Sequence, residues 1–206
     1  MSALATIARM LAAPLCAACG SACPADEVVC ASCDRRLRAS VPPSAGPPPG
    51  LDAIHSCAGH DGVARDLVRA LKFGRLMTVA PLMAARMAQA PVGILGGALV
   101  PVPAAPLRLR SRGFDPAAEI ALGLARVTGL PLSDCLRRRG SRRQVGRSRA
   151  QRLGEPPRIR LAAPPPHRAV LVDDVLTTGA TLAACARELR RGGAGAVVAV
   201  TFARRL

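Results

Sequence analysis

Residues 169–181 read AVLVDDVLTTGAT, and the change from apolar to acidic to hydroxyl-rich character within this stretch decides the fold. Ala169 to Val172 are four consecutive apolar residues without polar alternation, the pattern of a strand covered on both faces of a parallel sheet. Asp173 and Asp174 follow, in a chain with 13 acidic residues against 29 basic ones, and Thr177, Thr178, Gly179, Ala180 and Thr181 then open a helix. One helix cap requires one acid or hydroxyl. The surplus points to a ligand, because amides at a helix N-terminus favour a phosphate, glycine lets the backbone approach it, and threonine hydroxyls add donors. Two carboxylates beside that phosphate need donors of their own, which the vicinal hydroxyls of a ribose would supply, with a cation nearby. The ligand so implied is a ribose 5-phosphate group. Neither GK[ST] nor GxGxxG occurs, which argues against a P-loop and a dinucleotide fingerprint.

Outward from this stretch, strand and helix patterns alternate. Ala53 to Ala58 reads as a short strand, Val63 to Lys72 and Met77 to Gln89 have helical apolar spacing, and Gly97 to Val102 is a strand leading into a loop rich in Pro and Arg. Asp115 and Pro116 mark a helix start, with the helix running to about Val127. Leu132 to Arg138 and Arg158 to Ala162 are weaker strands around an Arg-rich loop. Arg168 to Asp174 is the strongest strand, Gly179 to Arg191 a helix stopped by Gly192 and Gly193, and Ala196 to Ala203 a last strand. This predicts an α/β fold with a mainly parallel, Rossmann-like sheet, and such sheets bind ligands at the carboxyl ends of their strands. Asp173 and Asp174 then stand at the mouth of a site.

Upstream, five of the eight cysteines fall between Cys16 and Cys33. Cys16 with Cys19 and Cys30 with Cys33 form two CxxC knuckles separated by ten residues, which suits four thiolates converging on one structural Zn²⁺. Four protein ligands leave no position for a catalytic water; Cys23 is a spare thiol and a possible alternate ligand. The stretch VPPSAGPPPG, residues 41–50, reads as a linker and not as packed structure. The expected organisation is therefore residues 1–40 as an N-terminal helix and zinc ribbon, 41–50 as linker, and 51–206 as the α/β domain.

Half of the residues are hydrophobic, enough for a sizeable core, yet three Phe and no Tyr or Trp leave few flat side chains for stacking on bases. The formal charge of +16 implies an anionic partner or substrate. Residues 1–16 read as a short amphipathic helix ended by Pro14 and not as an export signal, since Arg9 breaks the apolar stretch. No apolar run is long and helix-compatible enough to span a bilayer; with clustered cysteines this leads to an expected cytoplasmic location.

LVDDVLTTGAT resembles the phosphoribosyl-pyrophosphate signature of type I phosphoribosyltransferases. LCAAC with the second CxxC, then GVARDLVRALKFGR, LVPVPAAPLRLRSRGFD, RRRGSRRQ and the signature stand in the order seen in the ComF family of competence-related proteins. The resemblance implies a type I phosphoribosyltransferase fold behind a zinc ribbon, Mg²⁺ carried with phosphoribosyl pyrophosphate, and a role in DNA uptake. By it Asp173 and Asp174 would hold the ribose hydroxyls and Val175 and Thr177 to Thr181 would cradle the 5′-phosphate. The loop with Arg108, Arg110, Arg112 and Gly113 would meet the pyrophosphate, Arg112 joining Asp173 and Asp174 as catalytic residues. Lys72, the one lysine of the chain, sits in the family's LKF motif, either as a required compact charge or as a surface lysine. Arg139, Gln144 and Arg152 fall in a stretch, Arg137 to Arg152, with eight Arg and no acid, read as a mobile loop closing over substrate or as a basic nucleic-acid contact.

The chain departs from the family pattern where RGFNQ is usual and Arg112, Gly113, Phe114, Asp115 and Pro116 stand here, where ERxxN is usual and Gln151, Arg152 and Glu155 stand here, and where Ser141 replaces Thr. Two functions follow. One is a phosphoribosyltransferase displacing pyrophosphate from the anomeric carbon. The other is an accessory that binds single-stranded DNA or docks on a competence helicase or translocase, its sugar-phosphate pocket a sensor without turnover.

Overall fold

A computed structural model describes residues 14–139 and 157–205. Its centre is a sheet of four parallel strands, β1 (Ala53–Gly59), β2 (Ala98–Pro101), β5 (Arg168–Leu176) and β6 (Ala196–Arg204), in the order β1-β6-β5-β2. In the β5–β6 register Val172 lies opposite Val200 and Asp173 opposite Thr201. The short strands β3 (Leu136–Arg138) and β4 (Ile159–Leu161) pair antiparallel beside it.

Helices cover both faces, which is why β5 and β6 carry no polar alternation along most of their length. Successive strand residues point to opposite sides. Val170 and Val172 join the cluster under α2 (Gly62–Lys72), α3 (Val79–Met87) and α5 (Pro116–Thr128). Ala169 and Leu171 join the cluster under α6 (Ala180–Arg191), with Cys185 and Leu189. Phe202, Leu67, Leu71 and Leu171 are fully buried, each contributing roughly 1.5–3 kcal/mol relative to exposure.

Two sequence expectations change. The Pro- and Arg-rich segment after β2 is not a loop but the helix α4 (Pro106–Arg112), started by Pro106 and closed by Gly113 in the left-handed conformation, φ 84°. Its residues Leu-Arg-Leu-Arg alternate with period two, and no residue of α4 is buried, so no helical apolar stripe exists to read.

The 41–50 stretch, expected to be unpacked, lies against the domain. Arg204 donates to the Ala45 carbonyl at 2.7 Å and the Gly46 carbonyl at 3.2 Å, and the Pro48 ring packs at Gly179. Proline restricts the free chain, so few contacts suffice to hold an extended segment in place.

The cysteine-rich module contributes α1 (Ala31–Arg38). Cys16, Cys33 and Leu37 belong to the same apolar cluster as α2 and α3, and Asp34 accepts from Arg38 at 2.7 Å and also from Arg86 of α3. The module and the sheet therefore share one core. The helix expected over residues 1–16 falls largely outside the described residues.

Candidate functional site

The pleat of β5 separates its two acids. Asp174 faces α2, where its Oδ2 lies 2.5 Å from Lys72 Nζ, the two side chains 7% and 19% exposed. The contact pairs the buried Asp174 carboxylate with the ammonium group of α2. Lys72 is thus the ion-pair partner of a buried carboxylate, its side chain largely covered.

Asp173 faces the α6 side and accepts from the Asp174 amide at 2.9 Å. Asp173 is half-buried and lines a cavity at this end of the sheet. Burial first, and then the neighbouring Asp174, hold the Asp173 carboxyl well above the ordinary carboxylate range, against the opposing effect of Lys72. Across the sheet at the same level, Thr201 and Ser56 are buried and their hydroxyls lie 2.7 Å apart, so a polar row runs under this end of the sheet.

Beyond β5 the chain turns through exposed Thr177 and Thr178 into Gly179, whose φ of 76° favours glycine. Ala183 N donates to Gly179 O at 2.8 Å as the first helical bond of α6, and Ala180 N makes a long 3.4 Å contact to Thr178 Oγ1. Amides of a helix's first turn have no intrahelical acceptor, so those ahead of Ala183 point out of the N-terminus of α6.

These elements enclose a cavity of about 260 Å³. It brings together Lys72, Arg108, Arg112, Asp173, Asp174, Val175, Thr177 and Thr181 of the expected residues. Thr178, Gly179 and Ala180 form the turn without lining the cavity, and Arg110, Gly113 and Arg139 do not line it either. Gln144 and Arg152 lie outside the described residues. Arg112 reaches over the Phe73 ring, 5.3 Å from its centre, a cation–π arrangement that holds the guanidinium at the mouth.

Three ionisable lining residues escaped the sequence reading as site residues. Arg138, not Arg139, enters from β3; burial and then Arg108 depress its affinity for its proton. His60 follows β1, its imidazole held below the ordinary histidine range by burial and then by Lys72 and Arg205. Asp115 caps α5, accepting from Ala117 N at 3.1 Å, and its other oxygen accepts from Ala104 N at 2.8 Å. Expecting ligands at the carboxyl end of every strand would have found His60; Arg138 is a matter of strand register.

A larger cavity, about 350 Å³, lies elsewhere, between α1, β1 and α3. It shares no residue with the site, and its two arginines, Arg38 and Arg86, are tied to Asp34, so size alone does not mark the functional centre.

The four cysteines of the two knuckles converge, their sulfurs all within 4.8 Å of one another and Cys19 and Cys30 3.7 Å apart. Tetrahedral Zn²⁺ with Zn–S of about 2.3 Å requires sulfurs roughly 3.8 Å apart, so this donor set fits a metal. The Ser21 side chain, its amide and the Cys16 and Cys33 thiols bring the Cys19 thiol down to about 6, toward the thiolate a metal needs. Cys23 lies apart, its thiol at the Glu27 carbonyl. Among the described residues this is the one converging group of three or more such ligands, and no helix is long and apolar enough to cross a membrane.

A parallel α/β sheet with an acidic strand end and a glycine-bearing turn at its carboxyl edge defines a phosphoribosyltransferase-like domain. The phosphoribosyl transferase domain model matches residues 92–206, and the chain belongs to that family. Within it the chain is ComF-like: it is 33% identical over 97 residues to competence protein ComFC of Streptococcus pneumoniae (strain ATCC BAA-255 / R6). That match covers 46% of this chain and 42% of the relative, so the chain spans less than half of the relative's length. A solved structure of the allosteric regulatory enzyme of purine biosynthesis aligns with 61% of this chain and 25% of its own, at 21% identity and a TM-score of 0.43.

Proposed function

We propose that this protein binds a 5-phosphoribosyl ligand, phosphoribosyl pyrophosphate or a related sugar phosphate, and serves DNA uptake in natural competence. The observation that carries the reading is the acidic end of β5, where Asp173 and Asp174 line one cavity with Lys72 and with Thr177 and Thr181 of the turn that opens α6. In this reading Asp173 and Asp174 take the ribose 2′ and 3′ hydroxyls, and Val175 and Thr177 to Thr181 hold the 5′-phosphate. Lys72, Arg108, Arg110, Arg112 and Gly113 lie toward the substituent at the anomeric carbon, with Arg139, Gln144 and Arg152 assigned to the closing loop.

Were a transferase reaction to follow, the nucleophile would displace pyrophosphate at the anomeric carbon, and these residues would act by positioning and charge stabilisation without a covalent intermediate. Mg²⁺ bound with the ligand would neutralise pyrophosphate charge; among the described residues no cage of three carboxylates or imidazoles converges, so it would be held largely by the ligand itself. The cysteine cluster is assigned structural Zn²⁺, residues 1–40, 41–50 and 51–206 are assigned to ribbon, connecting stretch and domain, and the protein is placed in the cytoplasm. Titration calorimetry with phosphoribosyl pyrophosphate and Mg²⁺ tests the central assignment: binding by the parent protein and its loss in Asp174→Ala are expected, and absence of binding to this ligand and to ribose 5-phosphate would refute it.

One observation favours a second reading, an accessory contacting single-stranded DNA or a competence translocase. Phe73 is 73% exposed under Arg112, which lines the cavity together with the exposed Arg108, an arrangement on which a base could stack. DNA affinity that falls steeply with salt and is indifferent to Asp174→Ala would separate that contact from the pocket.

A further inference from the structure

The geometry points to Asp115 as the residue that sets what the site accepts at the anomeric carbon: it makes the pocket select 5-phosphoribosyl compounds without an anionic substituent there over the pyrophosphate. This rests on the phosphoribosyl reading above. Asp115 lies at the junction of the α5 start and the loop after β2, and it lines the same cavity as Asp173 and Asp174.

A helix cap uses one acceptor oxygen. Asp115 uses both: Oδ1 accepts from Ala117 N at 3.1 Å and Oδ2 from Ala104 N at 2.8 Å. The second bond has two consequences for an anion entering past β2. The Ala104 amide, a donor on the cavity wall, is directed at the protein's own carboxylate and is withheld from the ligand. The same carboxylate adds a third acid to Asp173 and Asp174 in a cavity whose cations are Lys72, Arg108, Arg112 and Arg138. Burial holds this carboxyl above the ordinary carboxylate range, and the amides of Ala104 and Ala117 oppose that shift.

An isosteric asparagine would invert both consequences. A carboxamide has one acceptor oxygen, which the Ala117 cap takes, and its other end is an NH₂ donor. Facing Ala104 N, that end cannot accept, so the amide is released, and the wall gains a donor and loses a negative charge. Asn caps helices as well as Asp does, so the fold is retained. Serine caps equally but is too short to bridge to Ala104, and gives a second route to the same release.

The test compares two ligands, phosphoribosyl pyrophosphate and ribose 5-phosphate, by titration calorimetry on the full chain without added divalent cation, in parent, Asp115→Asn and Asp115→Ser. The parent should bind phosphoribosyl pyrophosphate no more tightly than ribose 5-phosphate. Asp115→Asn should tighten phosphoribosyl pyrophosphate about tenfold or more, the scale of a charge-assisted bond gained with a repulsion removed, and leave ribose 5-phosphate within about twofold. Asp115→Ser should move the same way by a smaller factor. Unchanged or weakened phosphoribosyl pyrophosphate binding in both variants, with ribose 5-phosphate still bound, overturns the role of Asp115 alone. A parent that binds neither ligand overturns the phosphoribosyl reading and this inference with it.

Discussion

Replacing Gly179 by alanine should destabilise the protein through two separable effects. At φ 76° an L-residue costs about 1–2 kcal/mol. The added Cβ would also stand 2.7 Å from Pro48 Cγ, where carbon atoms rest at roughly 3.5–4.0 Å, so the 41–50 stretch must shift by about 1 Å or the turn must open. Overpacking of this kind adds about 1–3 kcal/mol, for a combined loss near 3 kcal/mol, or about 6–12 °C in Tm for a chain of this size. Gly129→Ala is the control: φ is 71° and no atom lies within 4 Å of the new Cβ, so only the backbone cost, about 1–2 kcal/mol, should appear. Thermal and urea unfolding of Gly179→Ala, Pro48→Ala and the double variant complete a cycle. A coupling of about 1–2 kcal/mol, the Pro48 change offsetting the loss at Gly179, is expected. Additivity within about 0.5 kcal/mol would refute the contact and return residues 41–50 to an unpacked linker.

Further tests address the charges and the metal. Lys72→Met should cost about 3 kcal/mol, at the low end for a broken buried pair because Lys72 keeps some exposure, and Asp174→Asn should recover most of that loss in the same background, read by chemical denaturation. Because the Asp173 carboxyl titrates higher folded than unfolded, its contribution to stability is complete below the ordinary carboxylate range and is lost as pH rises through the raised value. Asp173→Asn should therefore be more stable than the parent at pH 7, with the difference closing toward about pH 4 and with ligand affinity lost; a variant equally or less stable at pH 7 would contradict the stated burial. Metal analysis should find one zinc per chain, and chelation or Cys33→Ser should lower the stability of the whole protein by at least about 2–3 kcal/mol in one cooperative transition, because α1 shares its core with α2 and α3. Separate transitions for the module and the sheet would argue against that shared core.

What could be read along the chain was whatever depends on neighbours in sequence. The apolar run of β5, the two acids at its end and the turn through Gly179 are local, and so are the CxxC knuckles, whose spacing already restricts where the sulfurs can go. The helix α4 was missed because Leu and Arg alternate in it with period two, and an exposed helix owes its surroundings no apolar stripe. Asp115 was legible as a cap, since its Ala117 partner is two residues away; its bond to Ala104, eleven residues back, was not. Arg138 and Arg139 are indistinguishable in a run of arginines until the pairing of Arg138 with Ile159 decides which one turns inward.

The amino-acid sequence by itself determined the parallel α/β class, the acidic strand end with its phosphate-favouring turn, and the four-thiol cluster, because each rests on periodicity or on spacing over a few residues. Only the tertiary structure decided that Lys72 meets Asp174 while Asp173 faces the other side, that Pro48 lies on Gly179, and that the Ala104 amide donates to Asp115. Those depend on strand order and register, which bring together residues separated by up to nearly two-thirds of the chain, and no local pattern encodes which of several chemically equal side chains will face inward.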